Sequence, residues 1–142
     1  MLKKRTWIVT LIIFLLIALC VSLWQYTVFK NDKIEVMCKG SVSSALGHFE
    51  KYDTNGKEAD YMAGVAEFRA YMSAYLCLAE SARSETNYIW YKALYGYMTL
   101  SPEKVKAHVS ELVEALEYLA EDYDDPDGFS LINALNNQLE AE

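Results

Sequence analysis

A chain of 142 residues has room for one globular domain at most, and its 13 Lys and Arg against 20 Asp and Glu leave a net charge of −7. Beyond Lys33 stand eight of the basic and nineteen of the acidic side chains, a net of −11. That disfavours nucleic acid and anionic lipid as partners, because both demand basic patches.

The first 33 residues are a different polymer from the rest. Residues 6–29 carry no charged side chain, and at ~1.5 Å per residue these 24 positions span roughly 36 Å as a helix. A bilayer core is about 30 Å thick, and lipid forces a helix because it offers no partner for free backbone groups. Trp7 at one end and Trp24 with Tyr26 at the other suit the headgroup layers. Lys3, Lys4 and Arg5 give the tail of residues 1–5 a positive charge, whereas Lys30, Asp32 and Lys33 nearly cancel on the far side. The positive-inside bias keeps the N-terminus cytoplasmic and sends the body, residues 34–142, across. The expectation is a single-pass signal anchor in the cell membrane, held to the lipid bilayer by residues 6–29. Two alternatives share these features: a cleaved and secreted chain, and a lipoprotein attached at Cys20. Ala18-Leu19-Cys20 is a poor cleavage site, and Leu19 stands where a lipoprotein signal prefers a small residue. All three place the body outside the cytoplasm.

The body reads as all-α. In residues 34–52, Ile34, Cys38, Val42, Ala45, Phe49 and Tyr52 recur at steps of three and four, one face of a helix. Asp53-Thr54-Asn55-Gly56 then ends it as a turn. Residues 60–83, opened by Asp60 as N-cap, carry Tyr61, Val65, Phe68, Met72, Tyr75, Ala79 and Ala82 in alternating steps of four and three. That is a bundle seam. Ser84-Glu85-Thr86-Asn87 breaks the pattern, and residues 86–100 follow as a helix that is apolar nearly all round. Ser101 as N-cap and Pro102 at the first helical position open a fourth helix running to residue 122. Its Val105, Val109, Leu112, Leu116, Leu119 and Tyr123 share a face, with Glu111, Glu114, Glu117 and Glu121 opposite. A turn at residues 124–128 leads to a short helix, residues 129–139. The predicted architecture is an N-terminal transmembrane helix followed by a small antiparallel four- or five-helix bundle.

Little in the body points to chemistry. His48 and His108 have no partners at metal-ligand spacing. Aligning Gly56 with the invariant glycine of an EF-hand puts Lys51 first and Met62 last, and Gly128 gives Tyr123 and Ala134. Neither frame supplies the carboxylates such a loop needs. A weaker cation site at Asp122, Asp124, Asp125 and Asp127 stays open beside the reading of a solvated turn. There is no Gly-x-Ser-x-Gly elbow and no Gly-x-Gly phosphate loop, so neither catalysis nor a cofactor is expected. Cys38 and Cys77, placed outside the reducing cytoplasm, are candidates for a disulfide.

Tyrosine is the unusual residue. Six of the eleven (Tyr71, Tyr75, Tyr88, Tyr91, Tyr95 and Tyr97) fall between residues 71 and 97. One reading is a core whose edges are finished with tyrosines; the other is a contact surface. The contact reading makes the chain an anchored extracytoplasmic interaction or accessory protein, meeting a protein partner or a second copy through Tyr88, Trp90, Tyr91, Leu94, Tyr95 and Tyr97. The alternative is a small-ligand-binding or sensing module working through a partner, with a tyrosine-lined pocket between helices.

Overall fold

The computed structural model describes residues 2–141, with side chains for all of these but residues 2–6, 8–10 and 81. Among the described residues the chain is helical, without a strand. Its helices are α1 (Leu2–Asn55), α2 (Glu58–Leu76), α3 (Glu85–Leu100), α4 (Pro102–Ala107), α5 (Val109–Glu121) and α6 (Pro126–Ala141), with a 3-10 turn at Glu80–Ala82. Two compact units divide the chain, Met1–Lys33 and Ile34–Glu142.

The first unit is helix alone, and residues 11–29 are exposed throughout. Phe14 and Trp24 show 74% and 70% of their surface. A core helix of a soluble protein would have such side chains covered. Among the described residues α1 is the one helix long and apolar enough to cross a membrane, and none of its apolar window is buried. The Thr27 hydroxyl donates to the Leu23 carbonyl at 2.9 Å, so this polar group is paired inside the helix. The side chains of Lys3, Lys4 and Arg5 lie outside the described residues.

In the second unit the predicted faces become the core. Ile34, Cys38, Val42, Ala45 and Phe49 are buried along α1, and Tyr61, Val65, Phe68, Met72 and Tyr75 along α2. The α5 seam is buried from Val109 through Leu119. Packing is most extensive between α5 and α6, then between α2 and α3, with α3 also resting on α6. Gly56 takes φ +63 and ends the α1 turn as expected.

Several boundaries differ from the sequence reading; one is the last helix, which begins at Pro126, within the segment read as a turn, and not at residue 129. The second helix begins at Glu58 with Lys57 as N-cap, not at Asp60. Asp60 instead accepts from the Asn55 amide at 2.9 Å, closing the preceding turn. The same helix stops at Leu76, so Ala79 and Ala82 fall in a 3-10 connection, not on the seam. The fourth helix divides at His108, whose φ −117 and ψ 26 leave the helical region. Val105 and Val109 are both buried across that break, which is why spacing alone did not reveal it. Ser101 makes no side-chain cap bond; Pro102 does start α4. The short α4 is held from outside. Lys106 Nζ reaches Glu58 Oε2 on α2 at 2.7 Å and, within α4 itself, Glu103 Oε1 at 2.8 Å. Lys104 Nζ donates to the Leu139 carbonyl at 3.1 Å, satisfying one orphan acceptor at the end of α6.

Gly64 shows how close α1 and α2 come. A Cβ there would stand 2.9 Å from three carbons of the Phe49 ring. Phe49 is fully buried and packs edge-on against Tyr61, so it has nowhere to retreat. A Gly64→Ala substitution gains about 1 kcal/mol of helix propensity and loses about 1–3 kcal/mol to overpacking. Net destabilisation is expected. A Gly96→Ala substitution, whose Cβ meets nothing within 4 Å, keeps the propensity gain and stabilises by about 0.5–1 kcal/mol. Chemical denaturation of the two variants tests this; equal shifts of the same sign would refute the close approach.

Candidate functional site

The residues with the most specific geometry gather where the α2–α3 connection meets the α5–α6 turn. Tyr75, on the last turn of α2, donates its hydroxyl proton to Asp124 Oδ1 at 2.7 Å. The same carboxylate oxygen accepts from Asn87 Nδ2 at 2.7 Å. The Tyr75 oxygen in turn accepts from the Ser84 N–H at 2.8 Å. Ser84 caps α3, its hydroxyl accepting from the Asn87 N–H at 3.2 Å. Arg83 closes the connection by donating to the Leu76 carbonyl at 2.6 Å.

This junction decides the fate of the acidic turn. Asp124 is engaged by Tyr75 and Asn87. Asp125 accepts from the N–H groups of Asp127 and Gly128 at 2.8 and 3.0 Å, which makes it the cap of α6. Asp122 ends α5. The cation site considered at Asp122, Asp124, Asp125 and Asp127 is thus corrected. Asp124 is committed to a bridge and Asp125 to a cap, and among the described residues no three His, Cys, Asp or Glu side chains are grouped to hold a metal ion. His108 Nδ1 faces Glu111 Oε1 at 3.3 Å, and His48 Nδ1 is buried without a hydrogen-bond partner.

Beside the junction lies an aromatic core centred on Tyr91. Its ring meets Tyr71, Tyr75, Phe68 and Phe129 edge-on, with centroids 5.3, 5.4, 6.3 and 6.4 Å away. Such pairs contribute about 0.5–1.5 kcal/mol each beyond their burial. Tyr71 gives its proton to the Tyr123 carbonyl at 2.6 Å. The Tyr91 hydroxyl, fully buried beside it, has no partner of hydrogen-bonding geometry.

The proposed contact residues separate accordingly. Tyr91 and Leu94 are fully buried and belong to the core, which corrects their assignment to a surface. Trp90, Tyr95 and Tyr97 are half-buried and pack against the core. Tyr88 borders an opening: with Leu76, Arg83, Glu85 and Ile89 it lines a cavity of about 180 Å³. Ile89 is 63% exposed and Leu76 42%. The sequence reading passed over both; Ile89 was missed because a helix that is apolar nearly all round does not show which side faces outward. Cys38 is buried and Cys77 exposed, and both thiols are free.

The chain matches no family model, no curated protein and no solved structure.

Two buried tyrosines should respond oppositely to loss of the hydroxyl. Tyr75→Phe strands Asp124 and the Ser84 N–H and should cost about 1–3 kcal/mol. Tyr91→Phe removes an unpaired buried hydroxyl and should be neutral or stabilising by about 1 kcal/mol. Urea melts of both variants measure this, and a Tyr91→Phe loss as large as that of Tyr75→Phe would contradict the assignment.

Burial, above all, raises the phenols of Tyr61, Tyr71, Tyr75 and Tyr91 above the usual range. Burial likewise pushes the Cys38 thiol up to about 12, with Cys77 and Glu35 adding to it. The fold therefore favours the protonated forms. The unfolded chain releases these protons first, from about pH 9 for thiol and about pH 10 for phenol, so stability falls as pH rises. The melting temperature of the protein should decline steeply above about pH 10; a flat profile to pH 11 would exclude this account.

Proposed function

We propose that the chain is a membrane-anchored protein whose antiparallel helical bundle works outside the cytoplasm by binding another protein, not by catalysis. Anchoring is supported by the apolar stretch of α1, none of which is covered. Orientation is supported by Lys3, Lys4 and Arg5 on one flank against nearly cancelling charges on the other. The observation that carries the binding reading is the exposed pair Leu76 and Ile89, with half-buried Tyr88 beside them, flanking a connection braced by hydrogen bonds. Apolar and aromatic side chains held on a stiff scaffold are the usual anchors of an interface. The cavity they border is about 180 Å³, below the roughly 300–1,000 Å³ typical of small-molecule sites, and this favours a protein contact over ligand sensing.

A photo-crosslinking residue at Ile89 of the full-length protein, in right-side-out membrane vesicles, should yield a discrete adduct. The same probe at the exposed Glu117 should not, and protease added outside should remove the body. Equal adducts at both positions, or none at either, would overturn the contact face. A body protected from protease would overturn the orientation.

A further inference from the structure

Hydrogen bonds sort the elements of the body between its two ends. At one end Tyr61 donates to the Met98 carbonyl at 3.2 Å, Lys106 reaches Glu58 at 2.7 Å and Ser110 donates to Asp53 at 3.3 Å. The last turn of α1, the start of α2 and α4 meet there. At the other end Tyr75, Ser84, Asn87 and Asp124 are joined, which gathers the end of α2, the start of α3 and the α5–α6 turn. Register adds Ile34 to this second end. A Gly64 Cβ would stand 2.9 Å from the Phe49 ring, and the Tyr52 and Tyr61 rings lie 5.3 Å apart, so positions fall along α1 as they rise along α2. Twelve residues on from Gly64 stands Leu76; twelve residues back from Phe49 stands Met37. Ile34, where the body begins, is ~4.5 Å further along the axis. It follows Phe29 by five residues, a length of chain that reaches at most ~18 Å however it runs. Leu76, Tyr88 and Ile89 thus belong to the end from which the chain continues into the apolar stretch. Leu100, 85% exposed and two residues past Met98, belongs to the opposite end.

Position and charge together select the occupant of this face. Glu80 and Glu85 stand exposed on the connection, Arg83 between them donates to the Leu76 carbonyl, and the body beyond Lys33 carries a net of −11. A second copy would bring the same charges to the same place, and an anionic lipid surface would repel them as well. A basic partner is attracted. The apolar face is also small: two exposed side chains and a half-buried tyrosine, against roughly 20–30 residues a side in an ordinary stable interface. Such a face holds a freely diffusing protein weakly, whereas a partner confined to the same membrane meets it at a high effective concentration. We propose, resting on the anchored, protein-binding reading above, that the partner is a different membrane-spanning protein. The segment it offers is an apolar stretch bearing Lys or Arg, just outside its own transmembrane helix. Leu76 and Ile89 take the apolar side chains of that segment, and Glu80 and Glu85 face its cations.

The test places a photo-crosslinking residue at Ile89 of the full-length protein in right-side-out vesicles, with the same residue at Leu100 as control. Digests of the adducts are read by mass spectrometry. The Ile89 probe should be joined to a basic peptide of another protein, adjoining an apolar segment of about 20 residues, and the Leu100 probe should not. An (EAAAK)2 helical spacer between Lys33 and Ile34 lengthens the helix below the face by ~15 Å and should cut the adduct yield several-fold. Glu80→Gln combined with Glu85→Gln should do the same, with the melting temperature of the body unchanged in both variants. A peptide from a soluble protein or from this chain would overturn the membrane partner and leave the protein contact standing. So would a yield indifferent to the spacer or to the loss of both carboxylates. No adduct at Ile89, or an equal one at Leu100, would overturn the contact face itself.

Discussion

One carboxylate oxygen organises the body. Asp124 Oδ1 receives protons from Tyr75 and Asn87 at the same 2.7 Å distance, and through the Tyr75 oxygen it also fixes the Ser84 N–H. The three donors come from the end of α2, the start of α3 and the link between them, while the acceptor belongs to the α5–α6 turn. A carboxylate that accepts two hydrogen bonds in a half-buried setting interacts more strongly than a neutral acceptor would. Removing it would leave several donors short of partners at once, and unpaired buried groups are costlier than a missing contact. The turn that carries Asp124 is itself made rigid by Asp125, which caps α6. Two adjacent acidic residues thus do separate jobs, one binding across the body and one locally.

The aromatic core depends on that junction. Tyr75 contributes its ring to Tyr91 and its hydroxyl to Asp124, so the polar bridge also sets where the apolar faces meet. Tyr71 works the same way, with its ring on Tyr91 and its hydroxyl on the Tyr123 carbonyl. Tyrosine suits such a boundary because it brings a large apolar surface with a polar tip. Tyr91 is the exception: its ring is the centre of the cluster, but its hydroxyl is unpaired. For packing alone, phenylalanine would serve there.

Helix faces were legible in the sequence because burial follows periodicity. The seam from Tyr61 to Tyr75 and the seam from Val105 to Leu119 are both buried as spacing predicts. Boundaries were less legible. Spacing could extend the α2 seam to Ala79 and Ala82 because alanine fits a helix, but the chain turns at Cys77, where Tyr75 and Arg83 hold the connection. The break at His108 left no mark because the inward face continues across it. The α3 contact set failed for a related reason. A helix that is apolar nearly all round does not reveal its buried side, and that side is set by Asn87, Tyr91, Leu94 and Met98 facing the other helices. The junction itself was invisible, since Tyr75 and Asp124 lie 49 residues apart and no local motif joins them.

The same junction bears on the proposed contact face. Exposed apolar side chains on a loose loop would lose conformational entropy on binding, which weakens an interface. Leu76, Tyr88 and Ile89 instead stand on either side of a connection whose ends are tied by Arg83 to the Leu76 carbonyl, by Tyr75 to the Ser84 N–H, and by the Ser84 cap on α3. Their positions are set before any partner arrives, so less of the interaction is spent on ordering them. The carboxylate bridge and the exposed Leu76 and Ile89 are therefore parts of one arrangement. The buried carboxylate bridge stiffens the connection, and the stiff connection holds the apolar residues outward.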